Sequence, residues 1–410
     1  MQVQEVQEIR TLARKSVGAL AACALISILC VVIPMYVIRP FRPQGTRELA
    51  LALGVRHVGP WLSGLCAVIA LAVFVWSWKK ISQVSLRIAM VALCVVAIVG
   101  ACLTQVNIFE KMFHPYDAPV FGSVDAVRVD PDDKVLAVMI AGQARAYPIR
   151  TMGYHHIVND TVGGIPIAVT YCTLCHTGLV WNRMLDGRLL RFRLAGINNG
   201  NALMRDEETS SIWQQSTGEA IFGPLKGKHL DLVHSDELTF ALWRKEKPQG
   251  QVLKPNERYV SEYDPKDWEK HVETTRTVVD TSKSGIGPHQ LILGVTVAGK
   301  NKAYPIEPIL ATRVIQDSVA ELPVLVVVGP DGASIRVFEA KLDGERTQLT
   351  FTKGEGEKLM LDAETGSTWN FQGCAIEGEL TGQCLKEIDS HKDYWFDWMN
   401  HHPETAVFRG

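Results

Sequence analysis

A chain of 410 residues has room for several domains, and its net charge of −2, with 47% hydrophobic and 21% charged side chains, is that of an ordinary soluble protein. The abundant apolar residues exclude intrinsic disorder, and the lack of a basic stripe in the polar part excludes nucleic acid as a partner. The averages conceal two materials: residues 1–109 carry 10 Lys and Arg against 3 Glu, a net of +7, and the remainder 32 against 41, a net of −9.

Three stretches, 16–38, 58–78 and 88–109, contain no Asp, Glu, Lys or Arg. Each is long enough to cross a hydrocarbon core of roughly 30 Å. They predict three transmembrane helices within a membrane domain of residues 1–110. Trp61, Trp76 and Trp78 lie near the ends of the second stretch, where interfacial aromatics belong. Arg10, Arg14, Lys15, Lys79, Lys80 and Arg87 fall on one side of a three-span layout, and Arg39, Arg42, Arg47 and Arg56 on the other. The larger cluster favours the cytoplasm. The expected location is a bacterial inner membrane, multi-pass, with the C-terminal region in the periplasm or outside the cell.

From about residue 123 short apolar runs alternate with Gly, Asp, Asn and Pro, as at 134–140, 165–171, 178–182, 189–194, 291–297 and 322–328. Such spacing predicts a β-rich region. Helices are expected at 237–245 and 394–400. The region also repeats itself. VLAVMIAGQARAYPI (135–149) matches LILGVTVAGKNKAYPI (291–306), and IVNDTVGGIPIAV (157–169) matches VIQDSVAELPVLV (314–326). LMRDEETSSIW (203–213) matches LMLDAETGSTW (359–369), and Trp243 and Pro248 match Trp398 and Pro403. The offset stays between 155 and 157 residues. The expectation is two tandem homologous copies, 123–255 and 284–410, joined by a polar linker at 256–283.

Only the first copy carries Cys172-Thr173-Leu174-Cys175-His176, preceded by His155 and His156. In the second copy Gly329, Gly332, Ala333, Thr312 and Arg313 occupy the positions of Cys172, Cys175, His176, His155 and His156. Framework residues such as Tyr147/Tyr304, Asp160/Asp317, Met204/Met360 and Trp213/Trp369 persist in both. Residues that occur together in one copy are candidates for one site. Two cysteines three apart, with imidazoles, suit copper or zinc. The expected metal ligands are therefore Cys172, Cys175 and His176 with His155 and His156, copper favoured. Asn199 and Glu219 also differ between the copies and are candidates for hydrogen bonds to the ligands.

Other chemistry is open to the same residues. Cys172-x-x-Cys175-His176 is the attachment signature of c-type haem, with His176 as proximal ligand. The strand-like flanks argue against it, since such sites usually begin a helix. They argue equally against a thioredoxin-like motif, although the two cysteines could still cycle as a disulfide outside the cytoplasm. Cys374 and Cys384, particular to the second copy, are candidates for a disulfide. Cys23, Cys30, Cys66, Cys94 and Cys102 read as apolar packing residues of the spans. No constellation for hydrolase or dehydrogenase chemistry is present.

The run VNDTVGG (158–164), TYCTLCHTG (170–178), LMRDEETSSIW and TGEAIFGPL (217–225) resembles a bacterial family of domains of unknown function, DUF3179. The resemblance covers 134–248 closely and the second copy weakly. It implies no activity. It does imply that the two cysteines are the commoner part of the motif, with a small or polar residue often standing where His176 does. The functional expectation is a membrane-anchored, extracytoplasmic transition-metal protein for metal handling or electron transfer, working beside an integral-membrane or redox protein partner. A c-type haem protein and a non-catalytic assembly subunit are the alternatives.

Overall fold

The computed structural model describes residues 2–342, 348–356 and 358–409. They form two compact units, one of residues up to 112 with 196–198, the other of 113–195 with 199–410.

The first unit is built on three long helices, α1 (Gln2–Val37), α2 (Thr46–Trp78) and α3 (Val84–Leu103). All three are long and apolar enough to cross a membrane. α2 starts earlier than its uncharged stretch because its first turns carry their charges in partnership. Glu48 pairs with Arg42 at 3.1 Å, and Arg56 donates to Asn107 Oδ1 at 3.0 Å. α3 stops at Leu103 rather than 109, and a separate helix follows at Ile108–Met112. Large apolar side chains such as Ile28, Val68 and Val95 face outward, while Ala24, Ala52, Ser63, Ala70 and Ala97 are buried. A Cβ on Gly100 would come within 2.7 Å of Ser27 Cβ. Small residues at the contact are how helices approach closely without a hydrophobic driving force. Lys80 lies over Trp76 and Arg87 over Trp78, cation and ring sharing the end of the span.

The second unit is β-rich, as expected. An antiparallel pair, Lys134–Ile140 with Gln143–Pro148, leads into the helix Ile149–His155. A meander of Ile157–Val162, Ile165–Cys172 and Thr177–Asn182 follows. The same order runs from Leu291–Val297 and Lys300–Pro305 through the helix Ile306–Thr312 to Val314–Val319, Leu322–Val328 and Ile335–Glu339. Each half also has an Asp that gathers the same donors. Asp206 accepts from Thr209, Ser211 and Trp213 Nε1, and Asp362 from Thr365, Ser367 and Trp369 Nε1, both indoles at 2.8 Å.

A strand-helix element closes each half, Asp236–Thr239 with Phe240–Glu246, and Ser390–Tyr394 with Trp395–His401. Each strand pairs within its own half, Asp236–Thr239 with Lys134–Ala137 and Ser390–Tyr394 with Leu291–Val295, and its element also packs against the other half. Leu238, Phe240, Leu242 and Trp243 join one core with Leu325, Val327 and Phe338. Thr239 donates to Asp331 at 2.7 Å, in the turn where the second half has Gly329 and Gly332. Conversely, Tyr394 N donates to the carbonyl of Cys175 at 2.8 Å. The connector also folds down: Trp268, in the helix Trp268–Glu273, is buried. This reciprocal covering puts the C-terminal strand-helix element on top of the cysteine turn.

Candidate functional site

The cysteines sit where the antiparallel strands Ile165–Cys172 and Thr177–Asn182 meet, with Cys172 paired to Thr177 across the ladder. His176 N closes the turn onto Thr173 O at 3.3 Å, and His176 adopts a left-handed φ of 61°. Side chains alternate across a strand. Tyr171 therefore faces one side, into the core with Trp268 and Val169. Cys172 faces the other, as does Thr170, which is bonded to Gln215 Nε2 at 3.0 Å.

The two sulfurs come together. Cys172 Sγ and Cys175 Sγ lie 3.1 Å apart, both thiols free. Both are buried, with 3% and 0% of their surface exposed. Cys175 Sγ lies 3.1 Å from Gly200 O, and Asn201 Nδ2 lies 3.6 Å from the same sulfur. Gly200 has φ of 103°, and a Cβ there would strike Phe396 Cε2 at 2.7 Å. Asn201 is in turn held by Gln215 Oε1 and by Asp397 Oδ2, each accepting from its Nδ2 at 2.9 Å.

Asp397 and Asp393 come from the C-terminal strand-helix element. Thr177 Oγ1 lies 2.8 Å from Asp393 Oδ1 and 3.3 Å from Asp397 Oδ2. One hydroxyl has one proton to donate. Among the described residues Asp397 Oδ1 is buried without a hydrogen bond, His401 Nε2 standing 3.5 Å away. Burial, with the neighbouring Asp397, pushes the Asp393 carboxyl well above its ordinary range. Burial, the contact with Cys172 and the charge of Asp397 push the Cys175 thiol well up.

The imidazoles take other partners. His176 packs against Trp268 with ring centres 5.3 Å apart. Its Nδ1 is 3.2 Å from Tyr171 OH and its Nε2 is 2.7 Å from Glu269 Oε1. His155 is buried, with Nδ1 2.6 Å from His114 O and Nε2 3.0 Å from Tyr263 OH. His156 ends the helix in a left-handed conformation, with Nδ1 3.2 Å from Tyr154 O and its ring beside Phe113. Burial lowers the pKa of both, that of His156 to about 4, so both rings are neutral near pH 7. Of the five expected ligands the fold thus juxtaposes Cys172 and Cys175. Asn199 forms the hairpin turn with φ of 49°, and its neighbours Gly200 and Asn201 are the residues that reach the sulfurs. Glu219 lies in a bridge opposite His229.

Among the described residues one trio of His and acids, His234, Asp236 and Glu387, has ligand-type atoms within 4.8 Å of one another. It contains none of the expected ligands, and Arg336 already pairs with Asp236 at 2.6 Å and with Glu387 at 3.3 Å.

The sequence reading missed Asp393, Asp397, Thr177 and Glu269. A signal for the acids was present. The offset that matches Trp243 to Trp398 matches Leu238 to Asp393 and Leu242 to Asp397. Two core leucines in one half are two acids in the other, and the acids cover the turn that holds the cysteines.

The family model described as "Protein of unknown function (DUF3179)" matches residues 114–405, most of the chain. No curated protein and no solved structure matches significantly.

Proposed function

This chain belongs to the DUF3179 family of proteins of unknown function, and we propose that it is a membrane-anchored, extracytoplasmic dithiol protein that carries electrons. Cys172 and Cys175 are the working group. The carrying observation is the 3.1 Å separation of two buried free thiols, with both ring nitrogens of His155 and of His176 bonded to other groups. A disulfide needs the sulfurs at about 2.05 Å, a short closure for two side chains already in contact. The reaction is an exchange. The two thiols and the disulfide of a redox partner give the Cys172–Cys175 disulfide and two partner thiols, with two electrons passed and the protons conserved.

The location outside the cytoplasm is supported by the distribution of cations around the three apolar helices. It is also supported by the Cys374–Cys384 disulfide, a bond that belongs to oxidising compartments. The same offset that runs through both halves supports two homologous copies, of which the first keeps the thiols.

Copper, or zinc, held on the two thiolates is the competing reading, favoured by the two carboxyl groups behind the sulfurs. A c-type haem has less support, because both sulfurs are buried and Glu269 occupies His176 Nε2.

The deciding experiment equilibrates the purified full chain against oxidised and reduced dithiothreitol and counts alkylated cysteines by mass, with Cys172→Ser/Cys175→Ser as control. The expected result is a two-electron transition absent from the control. Metal content and a haemochrome spectrum are read on the same preparation. A stoichiometric metal or haem lost in the control, or a pair that stays reduced and empty, overturns the electron-carrier reading. The last of these leaves the assembly-subunit role.

A further inference from the structure

The three apolar helices enclose a cavity near the end of α1 and the start of α2. We propose that it binds the head of an isoprenoid quinone, a neutral lipid with two ring oxygens and one apolar tail.

The cavity has a volume of about 250 Å³ and draws its walls from α1, α2, the last residue of α3 and the segment that follows. Drug-sized ligands occupy roughly 300–1,000 Å³, so this one takes a compact head and leaves the tail outside. Three of the lining residues, Met35, Leu103 and Val106, are also exposed, which gives a tail its way out sideways into lipid.

The polar side chains are few, and their charges cancel. Arg56 lines the cavity just ahead of the uncharged stretch 58–78. An ionisable residue at the edge of a span that faces the bundle interior points to a ligand or a pathway. Arg56 Nη2 donates to Asn107 Oδ1 at 3.0 Å, and Asn107 Nδ2 donates to Glu110 Oε1 at 2.6 Å. The amide thus ties the guanidinium to a carboxylate, and the group has no net charge. A phosphate head would bring an unbalanced negative charge against apolar walls. A neutral oxygen acceptor brings none. Thr104 Oγ1 donates to Ala101 O at 2.8 Å, whereas a guanidinium carries five N–H donors, enough to hold Asn107 and meet a ring oxygen as well.

The backbone supplies the opposite function. Pro34 lies inside α1 and Pro60 inside α2, and both line the cavity. A proline has no N–H. The carbonyl of Cys30, four residues before Pro34, is therefore denied its helical donor, and Cys30 belongs to the same wall. A head whose oxygens accept as carbonyls in one state and donate as hydroxyls in the other finds both kinds of partner here. That is the chemistry of a quinone and its quinol. Quinones carry two electrons, the number a dithiol exchanges, so the site accords with the dithiol reading without resting on it.

The test is equilibrium binding of a fully substituted decyl-benzoquinone, which has no ring position open to thiols, to the detergent-solubilised full chain. Quenching of tryptophan fluorescence is read against empty micelles. The wild type should saturate at one quinone per chain. Arg56→Met should weaken binding at least fivefold. Val31→Phe, which fills the cavity and keeps the guanidinium, should do the same and serves if the first variant does not fold. Absence of saturable binding to the folded wild type overturns the proposal, as does a shift below fivefold in a folded variant. Displacement of the quinone by an equal concentration of dioleoylglycerol or phosphatidylglycerol would assign the cavity to an acyl lipid and overturn it too. Binding is read without turnover. A chain that binds the quinone while its thiol pair stays reduced against oxidised dithiothreitol keeps this proposal and loses the electron-carrier reading; a chain that shows the thiol transition and binds no quinone does the reverse.

Discussion

His176 Nε2 lies 2.7 Å from Glu269 Oε1, so the histidine of the Cys-x-x-Cys-His motif is bound to the connector between the two halves and not to the sulfurs. The bond clamps a helix that would otherwise be a tether.

The clamp has a pH dependence of known sign. Burial opposes the Glu269 carboxylate, yet His176 and Lys134, whose Nζ is 2.6 Å away, hold its carboxyl well below the usual range. A depressed carboxyl contributes stability that is complete above its unfolded value, ordinarily 4.5, and that fades as pH falls through the folded value. Glu269→Gln should therefore flatten the acid side of the stability profile below that value. Its cost near neutral pH should be only about 1 kcal/mol, because the side chain is partly solvated. Hydrogen exchange across 268–273, compared between pH 7 and mild acid, reads the clamp directly. Equal acid sensitivity in the variant would refute it.

Asp206 and Asp362 are the stability anchors of their halves. Each is fully buried and gathers backbone, hydroxyl and indole donors. Removing one carboxylate leaves several buried donors without partners. Asp206→Ala or Asp362→Ala should each destabilise the β-rich unit by about 3 kcal/mol or more. Denaturant midpoints followed by tryptophan fluorescence check this, since Trp213 and Trp369 report on their own anchors.

The disulfide Cys374–Cys384 closes a short loop with a sequence separation of 10. Loop-closure entropy for a ring of that size predicts about 2–3 kcal/mol of stabilisation. Cys374→Ser/Cys384→Ser should lower the midpoint accordingly. Protein retained in a reducing cytoplasm should carry both thiols free, whereas exported protein should carry neither.

Gly200→Ala probes the floor of the thiol site. The residue sits at φ of 103°, and the added methyl would meet Phe396. Strain and overlap together should cost about 1–3 kcal/mol. The displaced carbonyl should also change the alkylation rate of Cys175, which it now contacts at 3.1 Å. An unchanged rate in the folded variant would show that the carbonyl does not control the thiol.

Much of the architecture was legible because each element has one dominant signal. The three apolar helices announce themselves by missing charges, and strands such as Lys134–Ile140 and Leu291–Val297 match the sequence expectation residue for residue. The helices Ile149–His155 and Ile306–Thr312 were missed, because seven residues between two strands hold too few turns to show a helical period. That omission matters for the site. His155 and His156 end the first of these helices and take Tyr263 OH and Tyr154 O as partners. His176 lies apart from the sulfurs' other neighbours for a different reason. Joint occurrence in one half grouped it with the cysteines, and its ring packs on Trp268 and bonds Glu269. Comparing the halves in one direction found what the first had and the second lacked. The reverse comparison, in which Leu238 and Leu242 become Asp393 and Asp397, was needed to find the acids.

The contact of each closing strand-helix element with the opposite half spreads the surroundings of the cysteines across a boundary that a motif search does not cross. One half carries the two cysteines, and the other brings Asp393 and Asp397 to the hydroxyl of Thr177 beside them. A substitution at Asp397 would therefore leave the cysteine signature intact in any sequence comparison while removing an acceptor of Asn201, which stands beside Cys175. The half without the cysteines thus contains side chains placed directly beside them.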